Sequence, residues 1–300
     1  MIRPFFTILG VTLLAGVNFP AHAQKADPAL TKQLDTVYQH WRNAMVQKNL
    51  ANWKAVPASH RQVSIMNRIH SERRPIAQTL FNLPAAPPDT RNLKILDVKS
   101  KGVTANVFYF GPVDFGVGVK PPDNLLVLSF AKEGVRWKYD TADFVNLAVL
   151  PDVRKQLAAG QMAHLDRAEF APKGTVERPM VTLRGPVKHI AKTYVYCPGR
   201  EVRVNVNKVS RHLYQNTKES EIIIGGARDG RNEVQFAIKS LPGSQGDEPL
   251  TIRVYLLSQV QGVQPIKIFQ YQVPEKGKVK QFGTEFFDLG PAQAKKILGR

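Results

Sequence analysis

The spacing of apolar residues changes once along this chain, from steps of three and four to alternation. That change constrains the fold more than any other feature. Over residues 28–50, Leu30, Leu34, Val37, Tyr38, Trp41 and Met45 follow helical steps and form a wide, partly aromatic stripe. So wide a stripe needs a large partner surface such as a sheet. Asn49 is expected to end this helix, near Trp53. A second helix is expected from a Ser59 cap through Val63, Met66 and Ile69, then a short segment from Pro75 with Ile76, Leu80 and Phe81. Pro84, Pro87 and Pro88 close the helical part.

Strands follow. Leu93–Val98 is short and aliphatic, Lys101-Gly102 turns the chain, and Val103, Ala105, Val107 and Tyr109 alternate onto one face. Residues 111–123 read as a Gly/Pro-rich loop. Leu125–Phe130 is apolar on both faces, which predicts a central strand. After Lys132-Glu133-Gly134, the alternation sends Val135, Trp137, Tyr139 and Thr141 one way, and Arg136, Lys138 and Asp140 to water. Val153–Phe170 reads as a peripheral helix anchored by Val153, Leu157, Met162 and Leu165, and Ala171–Pro179 as the linker.

From Lys188 the chain reads as strand after strand: 193–196, 201–206, 221–224, 234–238, 250–257, 266–273 and 278–289. Turn signals at Cys197-Pro198-Gly199, Asp229-Gly230, Pro242-Gly243, Gln261-Gly262 and Glu275-Lys276-Gly277 separate them. Regular short strands with such turns predict an all-β sandwich.

The N-terminal order, helices and then an antiparallel sheet closing on Gly134-Val135-Arg136-Trp137-Lys138-Tyr139-Asp140, resembles the NTF2-like (SnoaL-like) α+β superfamily over residues 28–145. The resemblance implies a cone-shaped domain with helices against a bent sheet and a pocket between them. Its members include isomerases, dehydratases and non-catalytic domains, and they often dimerise through the sheet, so a homodimer is one expectation. The stretch Gly225-Gly226-Ala227-Arg228-Asp229-Gly230-Arg231-Asn232 before Val234-Gln235-Phe236 resembles a corner of jelly-roll accessory domains in carbohydrate-active proteins. The expected architecture is thus a leader over 1–23, an α+β NTF2-like domain over 24–172, a linker over 173–179 and an all-β sandwich domain over 180–300.

The leader has Arg3 as its only charge, an apolar run from Phe5 to Phe19, Pro20, and Ala21-His22-Ala23 before Gln24. This is the pattern of a cleavable secretory signal, too short for a membrane span, and it predicts an exported, periplasmic or secreted chain that is soluble after cleavage. A single cysteine, Cys197, allows no internal disulfide, so the fold must rest on its cores. Cys197 is expected to be a partly buried thiol beside a turn.

The formal charge is +18, and removing the leader with Arg3 leaves +17. Such a field favours polyanions: lipid headgroups, envelope phosphates or acidic glycans. Nucleic acid is disfavoured, because no helix-turn-helix, zinc module or RNP motif is present.

No motif commits the chain to a chemistry. There is no Gly-x-Ser-x-Gly, and Ser244 lies in a Gly-Ser-Gln-Gly turn. The histidines His40, His60, His70, His164, His189 and His212 show no metal-ligand spacing and read as surface or capping residues, so no metal and no cofactor are expected. Phe115–Lys120 has glycines but runs into Pro121-Pro122, which denies it the strand-loop-helix context of a phosphate cradle.

Two binding sites are expected. Trp41, Tyr109, Trp137 and Tyr139 would line an N-terminal pocket for a small apolar ligand or partner, and Tyr214 and Tyr271, with Phe269 beside Tyr271, would offer exposed aromatics to an envelope glycan. The leading expectation is therefore a non-catalytic exported binding protein. The alternatives are an exported NTF2-like enzyme, an isomerase, dehydratase or hydrolase using Asp97, Tyr109 or Tyr139 as an inward acid or base, and an electrostatic binder of anionic envelope polymers.

Overall fold

The fold is described from a computed structural model, covering residues 27–114, 122–176 and 185–298. The leader, the glycines of residues 115–120 and residues 177–179 of the expected linker lie outside the described residues. Within them the chain is α+β, with three antiparallel four-stranded sheets and no helix long and apolar enough to cross a membrane.

Helix α1 (Pro28–Val46) starts at an Asp27 cap that accepts the N–H groups of Ala29 and Leu30. It stops short of Asn49, because Lys48 turns to φ 52°, and Asn49 instead caps α2 (Leu50–Ala55). Helix α3 (Ser59–Ser71) is capped at Ala58, not Ser59. Ser59 lies inside the first turn, and its N–H and hydroxyl both donate to the Glu133 carboxylate. Helix α4 (Ile76–Leu80) follows Pro75 as expected. The proline-rich stretch then lies along α1, where Tyr38 Oη donates to the Pro88 carbonyl at 2.8 Å and Arg42 Nε to that of Pro87 at 2.9 Å.

Strands β1 (Lys94–Lys101), β2 (Thr104–Pro112), β3 (Asp123–Glu133) and β4 (Arg136–Asn146) form a meander in the order β1-β2-β3-β4. Register shifts at Ile95/Asp97 and Ser129/Phe130 break the ladders, and bulges of this kind bend a sheet. As expected, β3 is central and buried on both sides. Leu126, Leu128 and Phe130 join Leu34 and Tyr38 of α1, while Leu125 and Val127 face the opposite way with Phe108.

That second face explains a departure from expectation. The 153–170 segment is not one helix: α5 (Pro151–Ala158) ends before Gly160 at φ 82°, and 3-10 turns at Ala163–Asp166 and Ala168–Phe170 follow. Nor is it peripheral, since Leu157, Leu165 and Phe170 cover Phe108, Leu125 and Val127. Leaving such side chains in water would forfeit about 1.5–3 kcal/mol each. On β4, Val135 sits in the turn and is 84% exposed, outside the inward row. Lys138 donates to the Ala55 carbonyl and Asp140 meets His60 at 2.9 Å, so neither simply faces water.

Among the described residues the second half holds eight strands: β5 (Ile190–Tyr196), β6 (Arg200–Val206), β7 (Ser210–Gln215), β8 (Lys218–Ile222), β9 (Gly230–Ser240), β10 (Leu250–Leu257), β11 (Ile266–Val273) and β12 (Phe282–Leu289). They form two sheets, β11-β10-β5-β8 and β12-β9-β6-β7, whose buried residues make one shared core. A last helix, α6 (Pro291–Ile297), sets Ile297 into that core.

Strand β7 and helix α6 are not apparent in the sequence pattern. Strand β7 inverts the usual polarity, turning Ser210, His212 and Tyr214 inward and Leu213 outward. The corner before β9 is held by Asn232, 1% exposed, whose amide donates to the carbonyls of Arg228 and Gly230 and whose oxygen accepts the Arg228 N–H. Cys197 is fully buried, and burial pushes its thiol pKa up. The end of α3 meets the second half directly: Val187 N–H donates to the His70 carbonyl, and Gly225 N–H to Ser71 Oγ at 3.1 Å.

Candidate functional site

The expected N-terminal pocket residues come together, but as packing. Trp41 lies 4.3 Å from Tyr139 between ring centroids, and Tyr38 is 5.6 Å from each of them. Trp137 packs half-buried on the same core. Tyr109 and Tyr139 are 0% and 5% exposed.

Beneath them lies a hydrogen-bond network that the sequence pattern did not single out. Tyr109 Oη donates to Asp35 Oδ1 at 2.9 Å, Thr90 Oγ donates to the same oxygen at 2.6 Å, and Gln39 donates to Thr90 Oγ. Burial, then the Asp35 charge, raises the Tyr109 pKa, which keeps the phenol a donor and not a base. The network ties α1 to β2. Asp97, the other acid considered, accepts the N–H of its neighbour Val98.

The expected glycan residues do not form a surface. Tyr214 is 1% exposed and hydrogen-bonded to Thr193. Tyr271 stacks on Phe236 at 4.5 Å, with its hydroxyl accepting the Lys280 N–H, and Phe269 belongs to the core.

Two of the histidines expected as surface or capping residues are buried. His189 pairs with Asp229, and His212 with Glu221. Ser210 Oγ lies 2.7 Å from His212 Nε2, giving a Ser–His–Glu chain in the order of a hydrolase triad. Ser210 is 1% exposed, however, and its oxygen accepts the Ile224 N–H at 2.8 Å. The chain staples β7 to β8 and offers no nucleophile to a substrate. Among the described residues no group of three His, Cys, Asp or Glu could hold a metal ion.

The outward face of β12-β9-β6-β7 is a different kind of surface. Alternation places Phe282, Thr284 and Phe286 outward on β12, with Phe287 and Leu289 inward. Gly283 fixes this phase, because the Phe236 ring occupies the space where its side chain would stand. Register then builds rows across the sheet. Leu213, Arg203, Ala237 and Phe282 form one; Arg211, Asn205, Gln235 and Thr284 form the next.

Phe282 is 78% exposed, Leu213 53% and Phe286 47%. An open groove of about 650 Å³ runs over Arg203, Asn205, Arg211, Leu213, Gln235 and Ala237. The Arg231 guanidinium lies 3.8 Å from the Phe286 ring centroid and orients it. Between these apolar side chains stand polar groups that bond along the face: Asn205 donates to Gln235 Oε1 at 3.3 Å, Gln235 to Glu233 at 2.7 Å and Arg203 Nε to Glu201 at 2.9 Å. The signal for this face was present in sequence as Phe282-x-Thr284-x-Phe286, but its phase against Phe287 and Leu289 could not be assigned without the partner strand.

Comparison with protein-family models, curated proteins and solved structures finds no match.

Proposed function

We propose that this chain is an exported, non-catalytic binding protein of the cell envelope that docks on a glycan through the outward face of β12-β9-β6-β7. The observation that carries this reading is one outward sheet face that exposes Phe282 and Phe286 on β12 and Leu213 on β7, with an open groove over Arg203, Asn205 and Gln235 between the two strands. The signal-like leader supports export to the periplasm or beyond.

Two fold assignments go with the proposal. The helices preceding a four-stranded meander support an NTF2-like first domain, here acting as a packed scaffold or partner surface. In the second half, β5 and β8 are neighbours in one sheet while the β6–β7 hairpin lies in the other. That Greek-key crossover supports a jelly-roll-type sandwich.

The test is glycan binding by residues 24–300 and by the F282A/F286A double variant. Buried aromatic anchors in interfaces are worth about 2 kcal/mol or more each, so the variant should lose binding. Its melting temperature should hold, since exposed substitutions stay within about 0.5 kcal/mol. Undiminished binding by the variant would refute the proposal. The net charge of +17 after the leader favours a second reading, attachment to anionic envelope polymers. That reading predicts affinity that collapses with salt and ignores F282A/F286A.

A further inference from the structure

The glycan face does not end at Phe282. Where β9 and β12 leave the groove, a pocket of about 580 Å³ opens, lined by Arg200, Lys239, Ser240, Gly246, Lys278 and Gln281 among others. It lies beside Phe282: Ala237, which pairs with Phe282 in the ladder, lines the groove, Lys239 two residues on lines the pocket, and the backbone carbonyl of Gln281, which precedes Phe282, accepts the Ile238 N–H at 2.6 Å.

The lining is cationic and contains no Asp or Glu. Arg200 is 2% exposed and is held by the carbonyls of Glu248 and Gly246 at 2.6 and 2.7 Å. Glu248 stands 3.4 Å from the guanidinium, with its carboxylate engaged by Ser244 Oγ and the N–H groups of Gln245 and Gly246. Arg200 is thereby neutralised and shapes the floor, leaving Lys239 and Lys278 as the active charges. Both are exposed, and neither forms an ion pair among the described residues. Glu201, opposite Lys239 across the ladder, feels its charge, but its carboxylate hydrogen-bonds to Arg203 at 2.9 Å and Gln215 at 2.7 Å.

We infer that this pocket takes the anionic substituent of an acidic glycan, a sugar carboxylate, while the adjoining sugar lies on Phe282. The inference rests on the glycan reading above and names its ligand class. Two ammonium groups with a serine hydroxyl and a glutamine amide suit a carboxylate that must be recognised beside a neutral ring. Neutral chains meet the platform and leave the lysines unused.

The experiment measures affinity of residues 24–300 for oligogalacturonate and oligoalginate, each against its carboxyl-reduced counterpart, at physiological salt. Four proteins are compared: the parent, K239A/K278A, F282A/F286A, and K32A/K155A. The last removes the same charge from exposed positions in α1 and α5. The parent should prefer a carboxylated chain by about tenfold, the scale of one charge-assisted hydrogen bond. K239A/K278A should lose the preference and keep its affinity for the reduced chain. K32A/K155A should keep the preference, and F282A/F286A should lose both chains.

A preference that survives K239A/K278A, or that K32A/K155A removes equally, overturns the inference. Equal parent binding to both chains, lost in F282A/F286A, overturns the acidic ligand and leaves the glycan face standing. No binding to either chain overturns the glycan face and this inference with it.

Discussion

Replacing Asp35 with alanine should destabilise the first half of the protein by an amount that depends on Tyr109. The Asp35 carboxylate accepts the hydroxyls of Tyr109 at 2.9 Å and Thr90 at 2.6 Å. Those residues are 0% and 3% exposed, so neither hydroxyl can turn to water. A buried donor left without a partner costs about 1–3 kcal/mol. Two orphaned donors, one of them on the smaller and more adaptable threonine, give about 3 kcal/mol for D35A. In a Y109F background the tyrosine donor is already gone, and D35A should cost only about 1.5 kcal/mol. The resulting coupling of about 1.5 kcal/mol lies within the range seen for contacting residues.

The assay is urea denaturation followed by tryptophan fluorescence. All three tryptophans, Trp41, Trp53 and Trp137, lie in the first half, so the signal reports that core and not the two-sheet unit. Equal D35A costs in the two backgrounds would show that Asp35 does not hold the Tyr109 hydroxyl, and would remove the structural account of this network.

Gly283→Ala should destabilise the two-sheet core by about 1–3 kcal/mol, because its methyl group would overlap the Phe236 ring, itself buried and stacked on Tyr271; circular dichroism melts check this, and an unchanged midpoint would refute it. The hydrogen bond from His212, then its charge, holds the Glu221 carboxyl below the ordinary glutamate value against the opposing effect of burial. The stability this adds is complete above the unfolded glutamate pKa and is lost as pH falls through the lower folded value. Stability measured against pH should therefore fall less on acidification in E221Q than in the parent, and parallel curves would argue against the pairing.

Much of the first half was legible because helical and alternating periods report burial directly. The stripe of α1, the two-faced burial of β3 and the short helix after Pro75 all follow from side-chain spacing. The break at Gly160 was less visible, because Leu157, Leu165 and Phe170 still bury their side chains on the sheet without one continuous helix. For β7 the signal was inverted, since a buried serine and histidine satisfied by Glu221 and Ile224 stand where apolar residues normally would.

Local spacing along the chain therefore determined most of the succession of helices and strands, β7, α6 and the break at Gly160 excepted, and a lone cysteine required cores instead of cross-links. Which aromatics face water was decided only in three dimensions. Tyr214 and Phe282 both sit in alternating strands, and no local pattern distinguishes their roles. The first turns inward, where its hydroxyl meets that of Thr193 across the core, and the second turns outward because the Phe236 ring fills the space at Gly283. Burial is a property of what the opposite strand supplies, and that partner is distant in sequence.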